Sequence, residues 1–208
     1  MKEILFFDLD GTLTDSMLGI TRAVQYALKH YGIMVEDLKE LQPFVGPPLH
    51  ESFQEYFHFS EKDSHEAVFV FREYYNAKGW MENRPYDGIE EMLKMLRDAG
   101  KTLIVATSKP ESMADYFQFI GGASSDSLRV NKDDVIRYVM ESCKLTEADR
   151  PSIVMVGDRR HDILGAHKAG LEAVGVLYGY GSREELSLAG ADWIAGTVKE
   201  LGALLTEI

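Results

Sequence analysis

Cysteine is almost missing from this chain of 208 residues: Cys143 stands alone. No intrachain disulfide can form, and a reducing, cytoplasmic setting is expected. Long apolar runs are missing too. No stretch reaches the roughly 20 residues that a membrane-spanning helix needs. The opening run Ile4-Leu5-Phe6-Phe7 is cut by Asp8 and is too short for the apolar centre of an export signal. Positive charge is scarce, with 22 lysines and arginines against 34 acidic residues and a net charge of −12. That balance disfavours nucleic acid or an anionic membrane as partner, because both are gripped by Lys and Arg patches. It leaves room for a small anionic substrate in a locally positive pocket. Repeats and low-complexity tracts are also lacking. The chain reads as one large soluble domain, or a core with a smaller insert.

What is present is an alternation of strands and helices in two places, separated by a helical block. Ile20, Ala23, Val24, Ala27, Leu28 and Tyr31 repeat at helical spacing up to Gly32. Phe53, Tyr56 and Phe57, then Ala67, Phe71, Tyr74 and Tyr75, continue that pattern, broken by the stiff turn Val45-Gly46-Pro47-Pro48. The aromatic stripe through Phe69, Phe71, Tyr74 and Tyr75 reads as core of this block. After Gly88, Ile89, Met92, Leu93 and Leu96 form a helix closed by Gly100. The apolar segments Thr102–Ala106, Ile153–Val156 and Ala173–Leu177 are continuous rather than alternating, as buried parallel strands require. Helices through Val135–Cys143 and up to Gly170 separate them, and a short strand at Trp193-Ile194 precedes a last helix. The expected architecture is α/β: a doubly wound parallel sheet formed by residues 1–15 and 84–208, with an inserted all-helical cap at 16–83. Hinges are expected at Leu13–Ser16 and Asn83–Gly88.

Three strand ends carry polar chemistry. Ile4–Phe7 runs into Asp8-Leu9-Asp10-Gly11-Thr12, Ala106 into Thr107-Ser108-Lys109, and Val156 into Gly157-Asp158 with Asp162 beyond. In a parallel sheet these ends share one edge, where open α/β folds bind ligands. Two acids one residue apart repel unless a cation or reacting group lies between them. Asp8, Asp10 and Asp158 offer only hard oxygen ligands, which suits Mg2+. Thr107 can hydrogen-bond a phosphoryl oxygen and Lys132 can neutralise its charge. Asn131 reads as a helix N-cap, with Asp133 and Asp134 in the first turn. A lysine at that positive helix end needs an anion to hold it, either bound phosphate or a site carboxylate.

Asp8-Leu9-Asp10-Gly11-Thr12, Thr107, Lys132 and Gly157-Asp158-Arg159-Arg160-His161-Asp162 resemble the four ordered motifs of the haloacid dehalogenase-like hydrolase superfamily. Thr14-Asp15-Ser16, Phe44-Val45-Gly46-Pro47-Pro48-Leu49 and Thr107-Ser108-Lys109-Pro110 are similar to its phosphoglycolate phosphatase and 5′-nucleotidase-like branches. The resemblance implies a Rossmann-like core with a small helical cap. It also implies a Mg2+-dependent phosphatase whose partner is a small phosphorylated metabolite. Asp8 would be the nucleophile that becomes an aspartyl-phosphate, and Asp10 the general acid and base. The metal would rest on Asp8, the backbone carbonyl of Asp10 and Asp158, with Asp162 in support. Gly11, Thr107, Ser108 and Lys132 would hold the phosphate, and Gly46 would sit on the cap loop that touches substrate. The second acid, Asp10, favours phosphate esters over halides, whose departure needs no proton. Arg22 and the Arg84 region could supply cap cations for phosphoglycolate, and the aromatic cap an apolar slot for a nucleotide. The chain would act as a monomer or homodimer.

Plainer readings stand beside these. Asp8 and Asp10 could be solvated strand ends, Thr107 and Asp162 helix caps, Lys132 a surface lysine and His161 a structural residue. A sugar-phosphate mutase could return the phosphoryl group to a second hydroxyl, and a phospho-acceptor scaffold would not need Asp10. Similar family members carry a full helix after the Ser-Lys-Pro sequence. Here Glu111–Asp115 passes almost directly to Tyr116-Phe117, so either that helix is missing or a segment between Pro110 and Tyr116 is.

Overall fold

The computed structural model describes residues 1–107, 118–121 and 131–208. The expectations for Ser108 and for the segment between Pro110 and Tyr116 lie outside the described residues. The chain forms two compact units, Met1–Leu13 with Pro85–Ile208, and Thr14–Arg84.

In the first unit the strands are β1 (Ile4–Phe7), β4 (Thr102–Ala106), β5 (Phe119–Gly121), β6 (Ile153–Gly157), β7 (Glu172–Val176) and β8 (Trp193–Ala195). They form one parallel sheet in the order β5-β4-β1-β6-β7-β8. Alternate residues feed two cores, as the two-residue period of a strand demands. Leu5, Phe7, Leu103, Val105, Val154 and Val156 meet Ile89, Met92, Leu93 and Leu96 of α4 (Ile89–Asp98) and Leu201 and Leu205 of α8 (Val198–Glu207). Phe6, Ile104, Ala106, Ile153 and Met155 meet α5 (Lys132–Ser142) and α6 (Arg160–Lys168) on the other face. Each fully buried aliphatic or aromatic side chain contributes about 1.5–3 kcal/mol. The sheet is therefore doubly wound, as the continuous apolar strands led us to expect. A helix that the sequence reading passed over, α7 (Arg183–Leu188), starts at Ser182, whose hydroxyl accepts the Glu185 N–H at 3.1 Å.

Register places the strand ends. Phe7 stands beside Val105 on one side and Val156 on the other. Asp8 therefore emerges level with Ala106 and Gly157, with Thr107 and Asp158 one residue further along.

The second unit holds α1 (Met17–His30), α2 (Leu49–Phe57) and α3 (Glu61–Ala77), with 3-10 turns at Leu38–Phe44 and Gly79–Glu82. The chain forms a separate two-stranded sheet from β2 (Thr14–Asp15) and β3 (Arg84–Pro85). Its core takes Phe44, Phe53, Phe71 and Tyr75, the last two stacked with centroids 5.4 Å apart. Phe69 departs from the expected stripe and is 66% exposed. At 100° per residue, two positions from Phe71 turn it to the opposite face of α3. Arg22 ion-pairs with Glu82 at 2.5 Å, so its charge is already compensated within this unit, while Arg84 is exposed.

Candidate active site

The carboxyl edge of the sheet gathers residues from four segments. Asp8 follows β1, Asp158 follows β6, Lys132 opens α5, and Asp162 lies in the first turn of α6. Lys132 reaches back across the sheet edge. Its ammonium donates to Asp8 Oδ1 at 2.6 Å and to the Ala106 carbonyl at 3.1 Å, and pairs with Asp162 Oδ1 at 2.8 Å. The anion expected to hold this lysine at its helix end is thus a pair of carboxylates. Gly165 makes the approach possible: a Cβ there would lie 2.7 Å from the Lys132 Cβ. Asn131 does occupy the N-cap position, but its side chain caps nothing; its amide donates to Asp134 Oδ2 at 3.3 Å.

Asp8, Asp158 and Asp162 each place a carboxylate oxygen within 4.8 Å of the others. At that separation two like charges repel by about 3 kcal/mol at an effective dielectric near 20. One lysine against three carboxylates leaves two negative charges. Burial raises the pKa of Asp8 above the ordinary aspartate value; Lys132 opposes that rise and Asp162 adds to it. Burial also lifts Asp158, well above the ordinary value, reinforced by the charges of Asp162 and Asp8. Burial works against the charge on Lys132, yet Asp162 and Asp8 outweigh it and hold the ammonium firmly protonated.

Asp158 is 1% exposed. Its Oδ2 accepts the Tyr180 N–H at 2.8 Å, while its buried Oδ1 has no hydrogen-bond partner among the described residues. A buried carboxylate oxygen left in this way is costly unless a cation meets it. The donor set is all oxygen, with a residual charge of two, and fits a hard divalent ion. Asp162 has less to offer: Oδ1 holds Lys132, and Oδ2 accepts the Arg159 N–H at 3.1 Å as a helix cap. It thus caps α6, as one reading of the sequence had it, while its other oxygen pairs with Lys132. The Asp10 carboxylate is not part of the three-acid cluster.

The other expected residues fall as follows. Gly11 turns the chain at φ +84°, and a Cβ on it would sit 2.2 Å from Asp158 Oδ2. Thr107 is buried beside the carbonyl that Lys132 grips, its N–H bonded to Gly121 O at 2.9 Å. Gly46 belongs to the second unit, on the Val45–Pro48 turn with φ +106°. His161 is half-buried and outside the carboxylate cluster.

Sequence reading missed two supports. The loop Tyr178-Gly179-Tyr180-Gly181 after β7 lies against Asp158 and the Gly11 turn. Paired glycines alternating with tyrosines at a strand end were a visible signal. Glu185 of α7 accepts the Arg159 Nε–H and the Arg160 N–H, both at 2.9 Å, and so anchors the start of α6. Nothing local in the sequence marks that contact.

The family model for haloacid dehalogenase-like hydrolases matches residues 5–176. The chain belongs to that family. This hydrolase is 44% identical over 192 residues to a 5′-nucleotidase of Pseudomonas aeruginosa, covering 88% of the chain and 86% of the relative. It is 37% identical over 212 residues to the tyrosine-protein kinase PtkA of Mycobacterium tuberculosis, covering 96% of the chain and 71% of that protein. A phosphoglycolate phosphatase of Neisseria meningitidis is 33% identical over 94% of the chain and 90% of its own length. Among solved structures, a "predicted phosphatase" from Clostridium acetobutylicum superposes with a TM-score of 0.94 at 46% identity, over 100% of both chains. The hydrolase is an enzyme of the phosphatase group.

Proposed function

We propose that this hydrolase cleaves a small phosphomonoester, phosphoglycolate or a nucleoside 5′-monophosphate, in a Mg2+-dependent reaction through an aspartyl-phosphate on Asp8. The observation that carries the reading is the excess of buried carboxylate over cation at the sheet edge: Asp8, Asp158 and Asp162 lie within 4.8 Å, and Lys132 ion-pairs with two of them. Such a site is stabilised by a divalent cation, whose charge then offsets the repulsion that a phosphoryl group would meet there. The names carried by similar proteins, 5′-nucleotidase and phosphoglycolate phosphatase, support the choice of substrate class.

The Asp8 side chain, the Asp10 backbone carbonyl and Asp158 would hold Mg2+, with Asp162 in support. Bound there, the ion supplies the positive charge that offsets repulsion between carboxylate and phosphate. A carboxylate oxygen of Asp8 attacks phosphorus; an O–P bond forms as the ester P–O bond breaks. Asp10 gives its proton to the departing alkoxide, and then takes one from the water that attacks the aspartyl-phosphate, releasing inorganic phosphate and Asp8. Thr107 and Lys132 hold the phosphoryl oxygens, Lys132 also fixing the orientation of Asp8. The single cysteine, Cys143, is in keeping with work in the cytoplasm.

The test is phosphate release, with Mg2+, from phosphoglycolate, nucleoside monophosphates, sugar phosphates and p-nitrophenyl phosphate. Wild type is expected to turn over at least one of them, and Asp8→Asn and Asp10→Asn to lose about 100-fold or more. Undiminished turnover in Asp8→Asn would overturn the mechanism. The similarity to a protein named tyrosine-protein kinase raises a second reading, in which a tyrosyl hydroxyl takes the phosphoryl group in place of water. Transfer to tyrosine without phosphate release from any ester would favour it.

A further inference from the structure

The turn that carries Asp10 is braced from outside its own strand. Within it, the Thr12 and Leu13 N–H groups both donate to the Leu9 carbonyl, at 3.3 and 2.9 Å. The Thr12 carbonyl accepts the Tyr178 hydroxyl at 3.0 Å, across 166 positions of sequence. The next residue, Gly179, lies so close that a Cβ on it would sit 2.2 Å from the Gly11 carbonyl and 2.5 Å from the Asp158 Cβ. Tyr180 then donates its N–H to Asp158. A Cβ on Gly181 would be 1.9 Å from the Asp158 carbonyl. Four consecutive residues thus touch either the Gly11-Thr12 turn or Asp158.

Tyr178 is itself held. Its ring meets Tyr86 edge to face with centroids 5.2 Å apart, and the Tyr86 N–H donates to the Leu13 carbonyl at 3.1 Å. Both tyrosines therefore clamp neighbouring carbonyls of one turn. Burial, helped by the charge on Asp158, raises the Tyr178 phenol above the ordinary tyrosine value, which favours the donor form seen in the contact with Thr12.

We propose that Tyr178 is a positioning residue for the Asp10 turn: its hydroxyl fixes the Thr12 carbonyl and thereby the aim of Asp10 at the leaving oxygen. This rests on Asp10 serving as the general acid in the phosphatase reading. A group that must deliver a proton along a short hydrogen bond is sensitive to displacements well under an ångström. Tyr178→Phe removes only the hydroxyl and keeps the ring against Tyr86.

The test compares kcat/KM for phenyl phosphate and p-nitrophenyl phosphate, two esters of nearly one shape. Phenolate, with a conjugate acid near the tyrosine value of about 10, needs the proton; p-nitrophenolate leaves largely without it. Tyr178→Phe is expected to lose about 10-fold or more on phenyl phosphate and under about 3-fold on p-nitrophenyl phosphate. Asp10→Asn should show the same asymmetry more strongly. Equal losses on both esters, or none, would overturn the assignment and leave Tyr178 a structural contact. Circular dichroism and thermal melting establish that the variant is folded. Should it not fold, Tyr178→His, an aromatic donor that stops short of the Thr12 carbonyl, carries the same comparison. If wild type cleaves only alkyl esters, whose leaving oxygen always needs the proton, Tyr178→Phe must lose about 10-fold or more on them or the assignment falls; if it releases phosphate from no ester of either panel, the phosphatase reading fails and takes the assignment with it.

Discussion

Asp158 and Lys132 hold opposite positions in the electrostatics of this site, and substituting them should move stability in opposite directions. Asp158 is buried among like charges, and one of its oxygens has no partner among the described residues. Asp158→Asn keeps the shape and an acceptor for the Tyr180 N–H while removing a charge that the cation-free protein must accommodate. Without divalent ions the variant is expected to be more stable by about 1–3 kcal/mol, read as a higher melting temperature, while phosphatase activity disappears. Lys132→Met does the reverse. It leaves Asp8 and Asp162 without the cation that holds both, at 2.6 and 2.8 Å. A cost of about 3–5 kcal/mol is expected in denaturant titration, together with loss of turnover. Asp8, Asp158 and Lys132 were legible in the sequence because each sits at a strand end or helix start whose chemistry is out of place there. Asp162 doing two jobs was not, since only the geometry puts its two oxygens on different partners.

At the scale of elements, the site depends on how the start of α5 packs on α6. Gly165, in the second turn of α6, faces that start, and Gly165→Ala would drive a methyl to 2.7 Å from the Lys132 side chain. A loss of about 1–3 kcal/mol is expected from such overpacking, with activity falling further than stability because Lys132 is displaced. A control in α8, Gly202→Ala, meets its nearest atom, in the flexible Met92 side chain, at 3.1 Å and should be milder on activity. The start of α6 depends on Glu185. Burial works against its charge, but the Arg160 N–H and the Arg159 side chain outweigh burial and hold its carboxyl below the ordinary 4.5. A depressed carboxyl contributes stability above its unfolded pKa and loses it as pH falls through the folded one. Wild type should therefore exceed Glu185→Gln by about 1 kcal/mol at neutral pH, discounted for partial exposure. The gap should close in acid melts as pH falls below 4.5 and through the lower folded-state value. Periodicity revealed the long helices and the buried strands because burial imposes it. It could not reveal α7, six residues long and with Leu186 as its one buried residue. Nor could an aromatic count separate exposed Phe69 from buried Phe71.

At the scale of the whole molecule, the two units differ in what a cation can do for them. The three-acid cluster lies wholly in the unit built from Met1–Leu13 and Pro85–Ile208. Mg2+ at about 100 times its dissociation constant should add about 2.7 kcal/mol to that unit. Hydrogen exchange followed by mass spectrometry should show protection rising in β1, β6 and the start of α5, and unchanged in α2 and α3. The sheet order was legible only in part. A doubly wound parallel sheet follows from buried strands separated by helices, but the placement of β1 between β4 and β6 is a matter of topology that no local pattern encodes. That placement also has a kinetic meaning. Residues 8, 132, 158 and 162 come from distant parts of the chain and meet only when three central strands have found their register, so no fragment of the fold can hold a working site. Regain of activity during refolding therefore times the last long-range closure rather than the first collapse. It should lag behind the recovery of helical signal.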